Sequence, residues 1–242
     1  MRESASSPKR ISAGLGAVAV SLAALFAPSA TGVAVAAPTQ ACPDVEVVFA
    51  RGTFEAPGVG DTGQAFVNAL SARLPGKSVD VYPVNYPASL DFSAAANGVA
   101  DAANKIEAVA ASCPTTAVVL GGYSQGAAVA GYTTFDAVPA GLNLPAGLGP
   151  MPASTAQHVS SVVLFGTPDN WFLNLVDRSA PPVTVGQQYA AKTLQLCAPG
   201  DPVCFPGGFD RAAHSSYKSN GMADQAADFA VAHLAPSASS AV

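Results

Sequence analysis

The densest chemical signal in the chain is Gly122-Tyr123-Ser124-Gln125-Gly126, a Gly-x-Ser-x-Gly run. Between a strand and a helix, such a run forms a sharp turn that lifts the serine Oγ above the sheet. The glycines are required because the backbone on either side of the serine comes too close for a Cβ. The chemistry this serves is nucleophilic attack on an acyl carbon, and a serine hydroxyl needs a base to take its proton and an acid to orient that base. The chain holds three histidines. His158 precedes a strand-like run, and His233 falls near the end of a helical segment, where the helix dipole favours a cation. His214 lies between the last strand and the last helix, on the side of a parallel sheet where strand ends gather catalytic groups, and is the expected base. The acid is expected between serine and histidine in chain order. Asp201 and Asp169 both follow strands, so position alone does not separate them. Asp201 is favoured because a bridge from Cys197 to Cys204 would hold its carboxylate in place, and Asp169 is read as a turn cap or a solvent-facing residue.

These groups need a scaffold, and the pattern of the chain predicts one. Five β-branched runs, Val45–Ala50, Val79–Val84, Thr116–Leu120, Val159–Phe165 and Lys192–Leu196, read as strands, with Pro83 marking an edge or an early strand end. Segments with helical spacing lie between and after them: Gly63–Leu74, Ala94–Ser112, Gln125–Phe135 and Met222–Leu234. Alternation of this kind predicts an α/β fold in three layers, a mostly parallel five-stranded sheet with helices on both faces. The near-continuous apolar third and fourth strands suit the sheet interior. The serine motif directly follows the third strand and opens the small-residue helix Ala127-Ala-Val-Ala130, which is the context the turn requires. Residues 137–155, rich in Pro, Gly and Ala, are expected to form a surface excursion without a long helix.

Composition narrows the function classes. Half of the 242 residues are hydrophobic, only 11% are charged and the net charge is −5. This excludes a disordered chain and argues against a nucleic-acid partner. Arg2, Lys9 and Arg10 precede an apolar run from Ile11 to Ala27, and small residues lead to Ala34-Val-Ala-Ala37, the layout of a secretory signal peptide over residues 1–36. The remaining chain would carry 8 basic and 15 acidic residues, as a domain over 37–235 and a tail over 236–242. Export exposes Cys42, Cys113, Cys197 and Cys204 to oxidising conditions, which favours disulfides. Three pairings are open to four cysteines. The close pair Cys197 and Cys204 most simply bridges itself, leaving Cys42 with Cys113. Neither the cysteine nor the histidine spacing suits a metal site, and no cofactor is expected.

The sequence resembles the cutinase-like serine esterases, in particular their exported actinobacterial members. The resemblance runs from Cys42 to about Leu234. It rests on Ala50-Arg-Gly-Thr-Phe-Glu55, Gly122-Tyr-Ser-Gln-Gly126, Cys197-Ala-Pro-Gly-Asp-Pro-Val-Cys204 and Ala213-His-Ser-Ser-Tyr217. It implies a small α/β-hydrolase with five central parallel strands, a triad matching Ser124, Asp201 and His214, and bridges Cys42–Cys113 and Cys197–Cys204. An oxyanion hole needs two donors. One is the backbone N–H of the residue after the nucleophile, Gln125. The other is expected from the loop after the first strand, and the resemblance assigns it to Thr53, where many relatives carry Ser.

Gly58-Val-Gly-Asp-Thr-Gly63 fits a dinucleotide-binding pattern, but it does not follow its strand directly and Asp61 opposes a pyrophosphate. It is read as a turn into a helix. Leu90, Phe92, Phe205, Pro206 and Phe209 flank the expected site in sequence and are candidates for an acyl-binding rim. The expected protein is a secreted, monomeric carboxylesterase. Its substrate is a small-molecule, lipid or polyester ester, with peripheral contact to lipid or the cell envelope and no cofactor. An acyltransferase using the same residues and a catalytically idle envelope-binding protein are the alternatives.

Overall fold

In the computed structural model, residues 41–234 are described, and the expected signal peptide and tail lie outside them. Five strands form one sheet: β1 (Val45–Ala50), β2 (Val79–Pro83), β3 (Ala117–Tyr123), β4 (Val159–Phe165) and β5 (Thr193–Leu196). Their spatial order is β2-β1-β3-β4-β5, and every neighbouring pair is parallel. Pro83 ends β2 on the sheet edge, where its missing N–H costs no ladder bond. Parallel strands need crossovers, and helices supply them: α1 (Gly60–Ala72), α2 (Ala95–Ser112) and α3 (Gln125–Thr133) early, α8 (Met222–His233) last. Four shorter helical segments lie between, α4 (Ala153–Ala156), α5 (Asn170–Val176), α6 (Gln187–Ala190) and α7 (Arg211–His214).

Alternate side chains of the central strands enter opposite cores. Val48, Leu120, Val162 and Leu164 pack with Val99, Ile106 and Val129 from α2 and α3. Val47, Phe49, Val119, Val163 and Phe165 pack with Phe66 and Leu70 of α1 and Ala226 and Ala230 of α8. Burial on both faces is why β3 and β4 read as near-continuous apolar runs, and β1, also interior, breaks its apolar run only at the buried Glu46. β3 extends past the expected Leu120 to Tyr123, because Gly121 and Gly122 keep strand geometry while clearing space: a Cβ on Gly121 would come within 2.7 Å of the Phe49 ring.

The 137–155 excursion contains no helix before α4 and is anchored by Leu142, Leu144 and Leu148 against the core. The Cys42–Cys113 bridge ties the residues before β1 to the end of α2. No described helix is long and apolar enough to cross a membrane.

Candidate active site

β3 delivers Ser124 at its C-terminal end, and α3 leaves immediately after it. Ser124 has φ 56° and ψ −120°, a conformation that non-glycine residues rarely adopt. Its surroundings enforce that strain. The Ser124 N–H donates to the Phe165 carbonyl at 2.8 Å, and its own carbonyl accepts the Ala127 and Ala128 N–H groups. A Cβ on Gly122 would strike the backbone of Gly126, and one on Gly126 would strike the carbonyls of Ala50 and Arg51. Every residue of α3 is buried, so the small side chains let the helix press against the sheet beneath the serine.

Across from Ser124, the turn of α7 brings in His214. Its Nε2 lies 2.9 Å from Ser124 Oγ, and its Nδ1 lies 2.9 Å and 2.8 Å from the two oxygens of Asp201. Asp201 is fully buried, whereas the His214 side chain is one-fifth exposed. Burial pushes the Asp201 carboxyl up, but hydrogen bonds from His214, Tyr217 and the Val203 N–H outweigh it and hold the group below the usual carboxylate range. An ionised carboxylate only accepts, so Nδ1 carries the imidazole proton and Nε2 faces Ser124 as an acceptor. Asp201 sits inside the eight-residue ring closed by Cys197–Cys204. Tyr123 closes one side: its hydroxyl donates to the His214 carbonyl at 2.7 Å, and its ring centroid is 5.1 Å from the imidazole.

The loop after β1 forms the opposite wall. The buried Arg51 guanidinium donates to the carbonyls of Glu55 (2.9 Å) and Tyr86 (2.7 Å), fixing the loop to the chain beyond β2. The Tyr86 hydroxyl donates back to the Arg51 carbonyl. Glu55 accepts the Gly52 N–H at 2.6 Å and the Asp61 N–H at 2.8 Å, linking the loop to the N-terminus of α1. Between these anchors, the Thr53 hydroxyl donates to Gln125 Oε1 at 3.3 Å, and Gln125 Nε2 donates to the Ser89 carbonyl at 2.9 Å. The Gln125 backbone N–H has no partner among the described residues and stands at the positive end of α3, suited to a negative oxygen.

The expected site residues Ser124, His214, Asp201, Thr53 and Gln125 therefore converge. The rival groups do not. His233 bonds the Phe229 carbonyl four residues back along α8, and His158 lies at the opposite end of the sheet, before β4. Asp169 caps α5 by accepting the Phe172 N–H at 2.7 Å. Glu55 already occupies the first turn of α1, so the Gly58–Gly63 loop presents a carboxylate where a phosphate would need to bind. Cys197, Asp201 and Cys204 cluster at metal-ligand distances, but the two sulfurs are bonded to each other.

Leu90, Phe205 and Phe209 are exposed, and Phe92 is partly buried. A cavity of about 330 Å³ opens between Trp171 and the Pro202–Phe209 loop. The sequence alone marks no role for Trp171, Glu55, Tyr123 or Tyr217. A signal existed for three of them, since Glu55, Tyr123 and Tyr217 lie in the motifs that carry the resemblance. Trp171 rides on α5, which at seven residues is too short to show a period.

Residues 41–234 match the family model described as Cutinase. The chain is 45% identical over 218 residues to Carboxylesterase Culp1 of Mycobacterium tuberculosis, covering 90% of this chain and 92% of that one. It is 44% identical over 205 residues to Phospholipase Culp4 of the same organism, covering 83% and 84%. Among solved structures it is similar to the Trichoderma reesei cutinase in complex with a C11Y4 phosphonate inhibitor. That match has 34% identity, covers 81% of this chain and 78% of that one, and has a TM-score of 0.60.

Proposed function

The chain belongs to the cutinase family and is a carboxylic ester hydrolase, and from that premise we propose that it is a secreted serine esterase acting on apolar acyl esters through an acyl-enzyme on Ser124. The observation that carries this reading is the line of contacts from Ser124 Oγ through the His214 ring to the buried Asp201 carboxylate. As Oγ attacks the ester carbonyl carbon, His214 Nε2 takes its proton, and Asp201 stabilises the imidazolium. The carbonyl oxygen becomes an oxyanion held by the Gln125 N–H and by Thr53. Collapse of the tetrahedral adduct passes the proton from His214 to the departing alkoxide and leaves the acyl group on Ser124. Water then enters, gives its proton to His214 and attacks the acyl carbon. The carboxylic acid leaves and the serine is restored.

Several features support the finer points. Phe54 and Leu90 expose apolar surface from the loops beside Ser124, and the cavity under Trp171 and Phe209 is mostly apolar in its lining side chains. The same surface would serve contact with lipid or the cell envelope. Two disulfides suit an exported chain. Hydrolysis rates for p-nitrophenyl esters from acetate to palmitate test the preference, and a glycerophospholipid belongs in the same panel. A medium or long acyl chain is expected to be preferred, with the preference reduced in Trp171→Ala/Phe209→Ala. Acetate as the best substrate, unaffected by that change, would sink the apolar assignment. Free acid is the expected product when an alcohol acceptor is present, and a new ester would make the protein an acyltransferase.

A further inference from the structure

Behind the acid stands a residue that this mechanism does not use. Tyr217 is fully buried, with its ring enclosed by Phe165, Tyr123 and His214 at centroid distances of 6.0, 5.8 and 6.4 Å. Its hydroxyl donates to Asp201 Oδ2 at 2.5 Å, accepts the Ala198 N–H at 3.0 Å and lies 3.4 Å from Cys204 Sγ. One phenol oxygen thus touches the beginning, middle and end of the Cys197–Cys204 ring. The Ala198 N–H occupies a lone pair of that oxygen, and a disulfide sulfur is a weak acceptor, so the carboxylate is the strong acceptor for the hydroxyl proton. Space has been kept for the contact. A Cβ on Gly166 would come within 3.1 Å of the Tyr217 hydroxyl and 3.2 Å of Asp201 Oδ2.

We propose that Tyr217 is a positioning residue of the reaction: its hydroxyl fixes the Asp201 carboxylate against His214 and limits the negative charge that the imidazole feels. The proposal rests on reading Ser124, His214 and Asp201 as the reacting residues. Each Asp201 oxygen then has one donor besides His214, the Val203 N–H on Oδ1 and Tyr217 on Oδ2, so the carboxylate cannot rotate away from the ring. Burial raises the phenol well above its ordinary value, so it remains a donor throughout the working pH range. His214 shares α7 with Arg211 and the N-cap Asp210. Tyr123 faces it from β3, the charge of Glu55 reaches Tyr123 from the loop after β1, and Lys218 next to Tyr217 is paired with Asp61.

Loss of the donor frees the carboxylate and concentrates its charge on the side facing the imidazole. Misorientation lowers kcat, and the stronger negative charge favours the imidazolium, moving the acid limb of the kcat/KM profile to higher pH. Tyr217→Phe, assayed on a soluble p-nitrophenyl ester and normalised by active-site titration, is expected to lose roughly tenfold in kcat with KM nearly unchanged. Its acid limb should rise by about half a pH unit. Incorporating 3-fluorotyrosine at position 217 keeps the bond and acidifies the donor, so the limb should move the other way even if the Phe variant folds poorly. A parental kcat and acid limb in the Phe variant, or no opposite shift with fluorotyrosine, would overturn the proposal. Ser124→Ala and Asp201→Asn in the same assay separate the two failures. If both are inactive while Tyr217→Phe is parental, only the role of Tyr217 falls. If Ser124→Ala is active, the triad reading falls and takes the proposal with it.

Discussion

The Thr53 hydroxyl donates to the Gln125 side chain, Oγ1 to Oε1 at 3.3 Å. That contact is long for a hydroxyl donor, and it places the hydroxyl beside the residue whose backbone N–H is the other proposed oxyanion donor. A negative oxygen forming in the reaction would be the stronger acceptor, so the hydroxyl is expected to exchange partners as the tetrahedral adduct forms. Thr53→Ala should therefore lose about 10²-fold in kcat with little change in KM, while Thr53→Ser stays near parental. Steady-state kinetics on one soluble ester decide it. A near-neutral Thr53→Ala would leave backbone N–H groups as the sole donors.

Glu55 reaches no reacting atom, yet its two oxygens join Gly52 at the base of the Thr53 loop to Asp61 in α1. Glu55→Gln keeps the size but leaves only one oxygen to serve both N–H groups. A loss of roughly tenfold in kcat is expected, with a modest fall in melting temperature. A parental kcat with a lowered melting temperature would confine Glu55 to stability.

The two disulfides should separate stability from activity. Cys42–Cys113 spans 71 positions of chain and lies at the end of the sheet away from Ser124, whereas Cys197–Cys204 spans seven and encloses Asp201. In the chain-entropy treatment these loops contribute about 4.4 and 2.5 kcal/mol respectively. Cys197→Ala/Cys204→Ala is expected to lose most of its esterase rate with the smaller fall in melting temperature. Cys42→Ala/Cys113→Ala should melt much earlier yet hydrolyse normally at low temperature. Full activity in the short-loop variant would mean that Asp201 is held without the bridge.

Acid should act on the fold through Asp201. Burial opposes its ionisation, but the bonds from His214, Tyr217 and Val203 prevail, so its folded value lies below the unfolded one. Its stabilising contribution is therefore complete above about pH 4 and is lost as the pH falls through the lowered folded value. Thermal melts should find Asp201→Asn less stable than the parent at pH 7, with the gap narrowing by about pH 3. A gap that widens on acidification would contradict the assigned bonding.

Much of this architecture was legible in the residues. The strands could be read because β1, β3 and β4 are buried on both faces, which leaves mostly apolar runs interrupted only by Glu46 in β1 and Ser160 and Ser161 in β4. Ser124 could be read because a strained turn between close backbones demands glycines at 122 and 126, and little else produces that pattern ahead of a small-residue helix. The choice of Asp201 over Asp169 turned on the flanking cysteines, and the structure has Asp169 capping α5 instead. What stayed hidden depends on contacts distant in sequence. Nothing local in Tyr217 marks it as the partner of Asp201, sixteen residues away, and Glu55 shows its purpose only once Gly52 and Asp61 are folded onto it. α5 is not legible in the sequence because Asn170–Val176 makes barely two turns, and its exposed Trp171 and Leu175 break the expected pattern of burial.

The most direct test of the account is the mass of the protein after reaction with a fluorophosphonate ester. Attack by Ser124 should displace fluoride and leave one phosphonyl group per chain. Peptide mapping should place it on Ser124, and it should be absent from Ser124→Ala, a variant expected to keep its fold while losing ester hydrolysis. An unmodified chain that still hydrolyses esters, or a label on another residue, would contradict the acyl-enzyme mechanism.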